Sequence, residues 1–447
     1  MSSNNLRILL VGKGAREHSL AWKLAQSPSV EHIYVVPGNG GTAGMKKVTN
    51  VTTATEDDFP SLVNFAKEHG VGLVVAGPDD AVVNGIAGYF EDAAIPCFAP
   101  SKKAAEVEGS KAYSKAFMEK YNIPTASYKA FDNYDDAKAY LESVDCSQIV
   151  LKVDGLAAGK GVVLPSNEAE AHEALISMMI ESKFGSSGQS VVIEELLDGD
   201  EISILTFADG TGAFKSLPPG QDHKRILEGN KGPNTGGMGV YAPLAFLTSD
   251  DLRTIDQDII KPTLDGLRAE GKAPAMPTSH ILTLLVGRPF AGMLFTGVMM
   301  TSKGPKVLEY NARFGDPETQ TMMMLLAPEC DLAAVLMACS TKKLENVADR
   351  ISVRPGFACN VVVAAGGYPE SYRKGDVISL GECPSGIEIF HAGTERIANG
   401  ELVTSGGRVL SVAAHGPTLE KAVSLAYEGV KHIQFKDKTY RKDIGAR

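Results

Sequence analysis

Between residues 6 and 100 short apolar runs alternate with stretches of helical spacing, and three of those runs stop at loop-forming residues. Ile8-Leu9-Leu10-Val11 runs into GKGAREH, Ile33-Tyr34-Val35-Val36 into PGNGGT, and Leu73-Val74-Val75-Ala76 into GPDD. Strands that alternate with helices predict a parallel, doubly wound sheet, and such sheets bind ligands in the crevice at the carboxyl ends of their strands. All three loops are therefore expected to line one crevice. Gly12-Lys13-Gly14 begins like a dinucleotide fingerprint, but Glu17 stands where the third glycine belongs, which argues against a nicotinamide dinucleotide. A smaller phosphate near Lys13, Gly14, Arg16 and His18 suits the loop, and tight turns without a ligand are the alternative.

At 447 residues the chain exceeds what one core organises and points to roughly three domains. Its 44% hydrophobic and 22% charged content is that of a soluble globular protein. With 44 basic against 54 acidic residues, no nucleic-acid or membrane partner is expected, and anionic ligands need local basic sites. The six cysteines are scattered without a CxxC pair, so they read as reduced thiols, and the expected location is cytoplasmic. MSSNNLRILLVGKG has no basic flank followed by a long apolar segment, so no signal peptide or membrane span is expected there. The helical segment SKKAAEVEGSKAYSKAFMEKY breaks at Ile123-Pro124-Thr125, and a compact strand and helix unit, the size of a lid, follows to about residue 192. Residues 352–414 are strand-rich and lead into an amphipathic helix. The expected fold is α/β and α+β, multidomain: a doubly wound sheet over 1–100, a middle domain over 101–330 with its lid at 124–192, and a strand-rich domain over 331–447.

Two stretches carry chemistry. KVDGLAAGKGVVL (152–164) lacks the spacing of a Walker loop, since Asp154 stands five residues before Gly159, Gly161 fills the Ser/Thr position, and Val162-Val163-Leu164 favours a strand rather than a helix. It reads as a glycine hairpin able to fold backbone N–H groups over an anion beside a fixed lysine, or else as a solvated surface hairpin. In the strand Lys306-Val307-Leu308-Glu309-Tyr310-Asn311-Ala312-Arg313, Glu309, Asn311 and Arg313 share one face. A metal and an anion would satisfy them, and an edge strand with a wet face is the alternative. Between the two, VVIEELLDGDEISI reads as two strands about a turn, and PPGQDHKRILEGNKGPNTGGMG as a mobile loop that closes over the site.

Paired lysines, a glycine flap, an acidic hinge and a Glu/Asn/Arg face together resemble the ATP-grasp superfamily. Within it, VGKGAREHSLAWKLAQSP, EGSKAYSK, VVIEELLDGDEIS, QDHKR, GPNTGGMG, LEYNARFGDPETQ, AAGGYP and FHAGT resemble the phosphoribosylamine–glycine ligase family, also called glycinamide ribonucleotide synthetases, over nearly the whole chain. The resemblance implies a ligase of purine synthesis that uses ATP with Mg²⁺ or Mn²⁺ to join glycine to 5-phosphoribosylamine. It implies that Lys111 and Lys152 hold ATP phosphates beneath a flap containing Gly159, Lys160 and Gly161, that Glu194, Glu195, Leu196 and Leu197 form the adenine hinge, and that Glu201 reaches ribose. Glu309 and Asn311 would ligate the metal, and Arg313 would face the transferring phosphoryl group, with Lys152 and Asp222 as further catalytic groups. Lys224, Arg225, Asn234, Thr235, Gly236 and Asp316 would meet the substrates, and Gly14, Arg16 and His18 the sugar phosphate. In fungi and animals such an enzyme is commonly the first part of a multifunctional polypeptide. Two features depart from the family: the uncharged segment APAMPTSHILTLLVG (273–287) before the strand at 291, expected to be a surface excursion, and GPDD, whose Asp80 adds negative charge near an anion site. Another ATP-grasp ligase and a non-catalytic nucleotide-binding scaffold are the competing readings.

Overall fold

The computed structural model describes residues 5–157, 161–181, 190–270 and 287–446. Gly159, Lys160 and nearly all of the 273–287 segment lie outside them. The N-terminal sheet is parallel and five-stranded, in the order Val48–Asn50, Val30–Pro37, Leu6–Gly12, Leu73–Ala76, Cys97–Phe98. Ile8, Leu9, Leu10 and Val11 are all fully buried, because helices cover both faces and leave no wet side to call for alternation. The strand order reverses between Leu6–Gly12 and Leu73–Ala76, so the loops at Gly12 and Gly77 leave side by side at the switch point, where such sheets bind ligands.

The lid is an antiparallel sheet in the order Tyr128–Phe131, Val191–Glu195, Ile149–Val153, Val162–Val163, backed by the helices Tyr134–Leu141 and Glu168–Met179. Asn133 and Asn167 cap those helices by accepting backbone N–H groups of the first turn. Its core, which includes Leu141, Leu151, Leu175 and Ile193, is separate from the others. The central antiparallel sheet runs Phe214–Ser216, Asp200–Asp209, Ala291–Thr301, Gly304–Asn311. Val191–Glu195 and Asp200–Asp209 are thus neighbours in sequence but belong to different sheets, and 196–199 links lid to centre rather than turning a hairpin. Gly199 is required in that link, because its φ is +152° and a Cβ would lie 2.1 Å from the Met300 carbonyl oxygen.

The C-terminal sheet runs Gln221–Asp222, Gly239–Ala242, Phe357–Ala364, Arg408–Gly416, Ile387–His391, under the helix Leu419–Lys431. The glycine-dense 218–239 stretch is therefore mostly paired backbone and not the open loop its composition suggested: its ends join this sheet and its middle forms the hairpin 225–234. Glycine density here serves the turn at Gly229 and the irregular strand at Gly232, both with positive φ. Among the described residues no helix is long and apolar enough to cross a membrane.

Candidate active site

Lid, central sheet, switch point and C-terminal sheet converge on one cavity of about 1010 Å³. At one end lie three lysines. Lys152, on the lid strand Ile149–Val153, is 6% exposed and donates to Glu194 at 3.1 Å and to the Leu308 carbonyl at 3.2 Å. Lys115, on the helix Lys111–Lys120, reaches the same carboxylate at 2.8 Å. Burial lowers the Lys115 ammonium to about 8, against the opposing pull of Glu194. Lys111 donates to the Gly155 carbonyl at 2.7 Å, and Asp154 accepts from Ala112 N at 3.1 Å, so the lid is clipped to the start of that helix. One carboxylate shared by two ammoniums, with a third beside them, leaves net positive charge in a space of low dielectric, which suits a polyphosphate. Val150, Met118, Leu196 and Met299 supply an apolar slot next to it. Glu195 itself turns to Lys306 at 2.8 Å and to Ser127 N at 3.1 Å, so its side chain fixes the hinge from behind.

The strand Gly304–Asn311 forms the cavity floor. Glu309 pairs across the ladder with Gly297, where no side chain crowds it. Lys224 stands 3.5 Å from Glu309 and 2.5 Å from Glu201. Burial acts to raise the Glu309 carboxyl, but Lys224, Lys152 and Lys111 outweigh it and hold the group at about 2. Asn311 Oδ1 accepts from Arg313 at 3.1 Å. Arg313 Nε lies 3.1 Å from Glu108, without hydrogen-bond alignment, while the other oxygen of Glu108 accepts Ala312 N at 2.7 Å. An ionised carboxylate and an amide oxygen two residues apart are the hard donors a small divalent cation takes. Among the described residues no group of three or more His, Cys, Asp or Glu forms a metal cage, so such a cation would complete its shell with phosphate oxygens and water.

At the far end Arg408 bonds Asp316 at 2.9 Å and donates to the Gly236 carbonyl, and Gly236 N donates to Tyr368 Oη at 3.2 Å. Arg16 pairs with Glu17 at 2.5 Å and donates to the Phe314 carbonyl at 3.2 Å. Asp79 faces both Arg16 and Arg313, which hold its carboxyl below the usual range against burial. Asp222 is half-buried, with its Oδ1 enclosed and without a hydrogen-bond partner, and desolvation, followed by the charge of Glu318, pushes its carboxyl well above the usual range.

Lys111, Lys152, Gly161, Glu194, Glu195, Leu196, Leu197, Glu201, Asp222, Lys224, Arg225, Asn234, Thr235, Gly236, Glu309, Asn311, Arg313, Asp316 and Arg16 all line this cavity. His18 does not: its Nδ1 accepts His391 N at 2.8 Å, its ring packs on Phe390, and burial together with His391 lowers it to about 3. It supports the wall as a neutral ring. Gly14 lies behind Arg16 and donates its N–H to Glu17 at 2.6 Å, and Lys13 turns outward to Glu56 at 2.6 Å. In GPDD the residue that faces the cavity is Asp79, whereas Asp80 is exposed. Lys115, Glu108, Asp79, Glu318, Arg408 and Tyr368 are cavity residues not singled out from the sequence, although most stand inside the motifs quoted above.

Residues 6–108, 109–319 and 358–447 match the N domain, the ATP-grasp (A) domain and the C domain of phosphoribosylglycinamide synthetase. The chain is similar to a bifunctional purine biosynthetic protein of Schizosaccharomyces pombe, 51% identical over 98% of this chain and 53% of that protein, so it spans about half the length of such relatives. It is 43% identical to the phosphoribosylamine–glycine ligase of Vibrio vulnificus, over 99% of this chain and 98% of that one. Among solved structures the phosphoribosylamine–glycine ligase of Thermotoga maritima superposes with a TM-score of 0.81 at 32% identity, covering 98% of this chain and all of that one. A biotin carboxylase domain from Hydrogenobacter thermophilus, at 15% identity and a TM-score of 0.72, over 97% of this chain and 91% of that one, shares the fold. With three domain matches in order along one cavity, this chain belongs to the phosphoribosylglycinamide synthetase family, whose central domain is an ATP-grasp fold.

Proposed function

We propose that this chain ligates glycine to 5-phosphoribosylamine at the expense of ATP, giving glycinamide ribonucleotide, ADP and phosphate. The observation that carries the reading is a single cavity with a three-lysine end, a Glu309/Asn311 floor and a guanidinium-rich far end. Those are the parts needed for a triphosphate, its cation and a sugar phosphate. Glycine's carboxylate attacks the γ-phosphorus, the bond from that phosphorus to the bridging oxygen breaks, and ADP leaves glycyl phosphate behind. The amine then attacks the acyl carbon, phosphate leaves, and the amine loses a proton. Lys111 and Lys152 neutralise the phosphates, and Arg313, steadied by Glu108, meets the charge on the moving phosphoryl group. Asp222, whose buried Oδ1 has no hydrogen-bond partner, is the carboxyl group assigned to the amine chemistry. Mg²⁺, or Mn²⁺ in its place, would be held by Glu309 and Asn311 and would supply positive charge between the phosphates. The proposed compartment is the cytoplasm, with no nucleic-acid or membrane partner. As in the fungal relative, the ligase is proposed to form one part of a multifunctional purine biosynthetic polypeptide.

The test is ADP formation with glycine and freshly made phosphoribosylamine, each omitted in turn. Turnover that requires both is expected. Turnover driven by bicarbonate and biotin without glycine would identify a different ATP-grasp ligase, and tight nucleotide binding without turnover would identify a scaffold.

A further inference from the structure

The chain beyond the helix Leu419–Lys431 runs back to the cavity wall, which Arg441, Asp443 and Ala446 help to line. Arg441 is 2% exposed, and a guanidinium is seldom buried so completely unless its donors are engaged. Its Nε and Nη2 fork onto Asp443 at 2.8 and 2.7 Å. Its Nη1 donates to the Arg225 carbonyl at 3.0 Å and to Asn230 Oδ1 at 3.1 Å. Asp443 accepts in turn from Gly229 N at 2.8 Å. Tyr427 Oη donates to the Arg441 carbonyl and accepts from Ile444 N, each at 2.9 Å, which fastens the segment to its helix.

Everything the fork touches outside its own segment belongs to the hairpin 225–234. That hairpin is a separate two-stranded sheet, and two strands alone are marginal in water. Its base is closed by Thr235, whose N and Oγ1 both bond the Lys224 carbonyl at 2.8 Å. Lys224, Arg225 and Asn234 project from it into the cavity. A charged, bidentate fork on the C-terminal domain therefore sets where this piece of the ATP-grasp domain sits.

We propose that Arg441 and Asp443 are positioning residues for the ligation, fixing hairpin 225–234 so that Lys224 and Arg225 face the bound small substrates. The identity of those substrates rests on the function proposed above; the clamp itself does not. The experiment compares the full chain with Arg441→Ala, Asp443→Ala, the double variant, Arg441→Lys and Asn230→Ala. Asn230→Ala removes one hairpin contact while leaving the Arg441–Asp443 pair whole. Amide exchange is read at 227–234 and at Phe357–Ala364, and KM is read separately for ATP, glycine and phosphoribosylamine.

Exchange in the hairpin should quicken roughly tenfold in Arg441→Ala and Asp443→Ala while Phe357–Ala364 holds, and KM for the two small substrates should rise roughly tenfold with ATP changed less than about twofold. The double variant should match the single ones, because the fork acts as one unit. Arg441→Lys and Asn230→Ala should fall between. Unchanged hairpin exchange, or a rise spread equally over ATP and the C-terminal sheet, overturns the proposal. If the hairpin loosens as expected but the unmodified chain makes no ADP with these substrates, the ligase reading fails and the clamp stands.

Discussion

Glu309, Asn311 and Arg313 stand at alternate positions, the first two on the strand Gly304–Asn311 and Arg313 just past its end, and the proposed function gives them different work. Glu309 is held ionised among three ammoniums, with Lys224 at 3.5 Å, whereas Arg313 lies against Glu108 and reaches Asn311. Under the proposed function Glu309→Gln removes a cation ligand, so its loss of turnover should be partly rescued by raising Mg²⁺. Arg313→Ala removes the donor proposed for the moving phosphoryl group and should cost roughly 10²–10³-fold in kcat, with no rescue by Mg²⁺. An Mg²⁺ titration of the two variants checks this, and identical responses would mean the roles are divided wrongly. Lys152→Ala should weaken ATP binding by roughly ten- to a hundredfold, the size of one charge-assisted contact, with the fold retained. Unchanged affinity in calorimetry with ATP would remove Lys152 from the phosphate site. The residue types of this site were legible in sequence because strand alternation places every second side chain together. Glu108 and Lys115 were not, because both sit on short helical stretches whose facing is set by packing against strands about 200 residues away in one case and about 80 in the other.

Element boundaries followed the sequence wherever burial is uniform and failed where pairing is long-range. The runs at Ile8, Ile33 and Leu73 became strands because a two-sided parallel sheet asks only for apolar residues. The turn at 196–199 and the glycine-dense 218–239 stretch were misread because their partners, Met300 and the strand Phe357–Ala364, lie about 100 or more residues on, beyond any local pattern. The same logic bears on the segment 273–287, which lies almost wholly outside the described residues. On either side of it the chain is anchored: Arg288 N donates to the Leu267 carbonyl at 3.0 Å, and the Arg288 guanidinium pairs with Glu106 and stacks 4.7 Å over the Tyr113 ring. The chain thus leaves and returns at one place, and longer excursions between such anchors cost little closure entropy. Deleting 273–287 should leave KM for ATP within about twofold and the melting temperature within a few degrees, a surface-loop effect. A folded deletion variant without activity would show that the segment contributes to the site.

At the scale of the whole molecule the N-terminal and C-terminal sheets are joined by neutral histidines at their seams. His18 meets His391 across the contact between the helix Ala15–Leu24 and the strand Ile387–His391. His223 is enclosed beside Gly239 in the C-terminal sheet. Burial comes first among the causes in each case, followed by a neighbouring His or Arg, and it lowers His18 to about 3 and His223 and His391 to about 4. In the unfolded chain these rings titrate near 6.5. Between about pH 6.5 and 4 the unfolded state therefore binds more protons than the folded one, and stability falls as pH is lowered. Each ring contributes at most about 1.4 kcal/mol per pH unit in that window, and three together about 4. The Glu309 carboxyl, depressed to about 2, adds a loss only lower, once pH drops below the ordinary glutamate value near 4.3. Urea midpoints should hence fall between pH 6.5 and 5 with a slope the histidines set, opposed by the Asp222 and Glu318 carboxyls that burial raises. His18→Asn, whose amide oxygen can replace Nδ1 as acceptor of His391 N, should remove about a third of that slope. A pH slope that His18→Asn leaves unchanged would show that His18 is protonated in the folded chain and that the seam is wet.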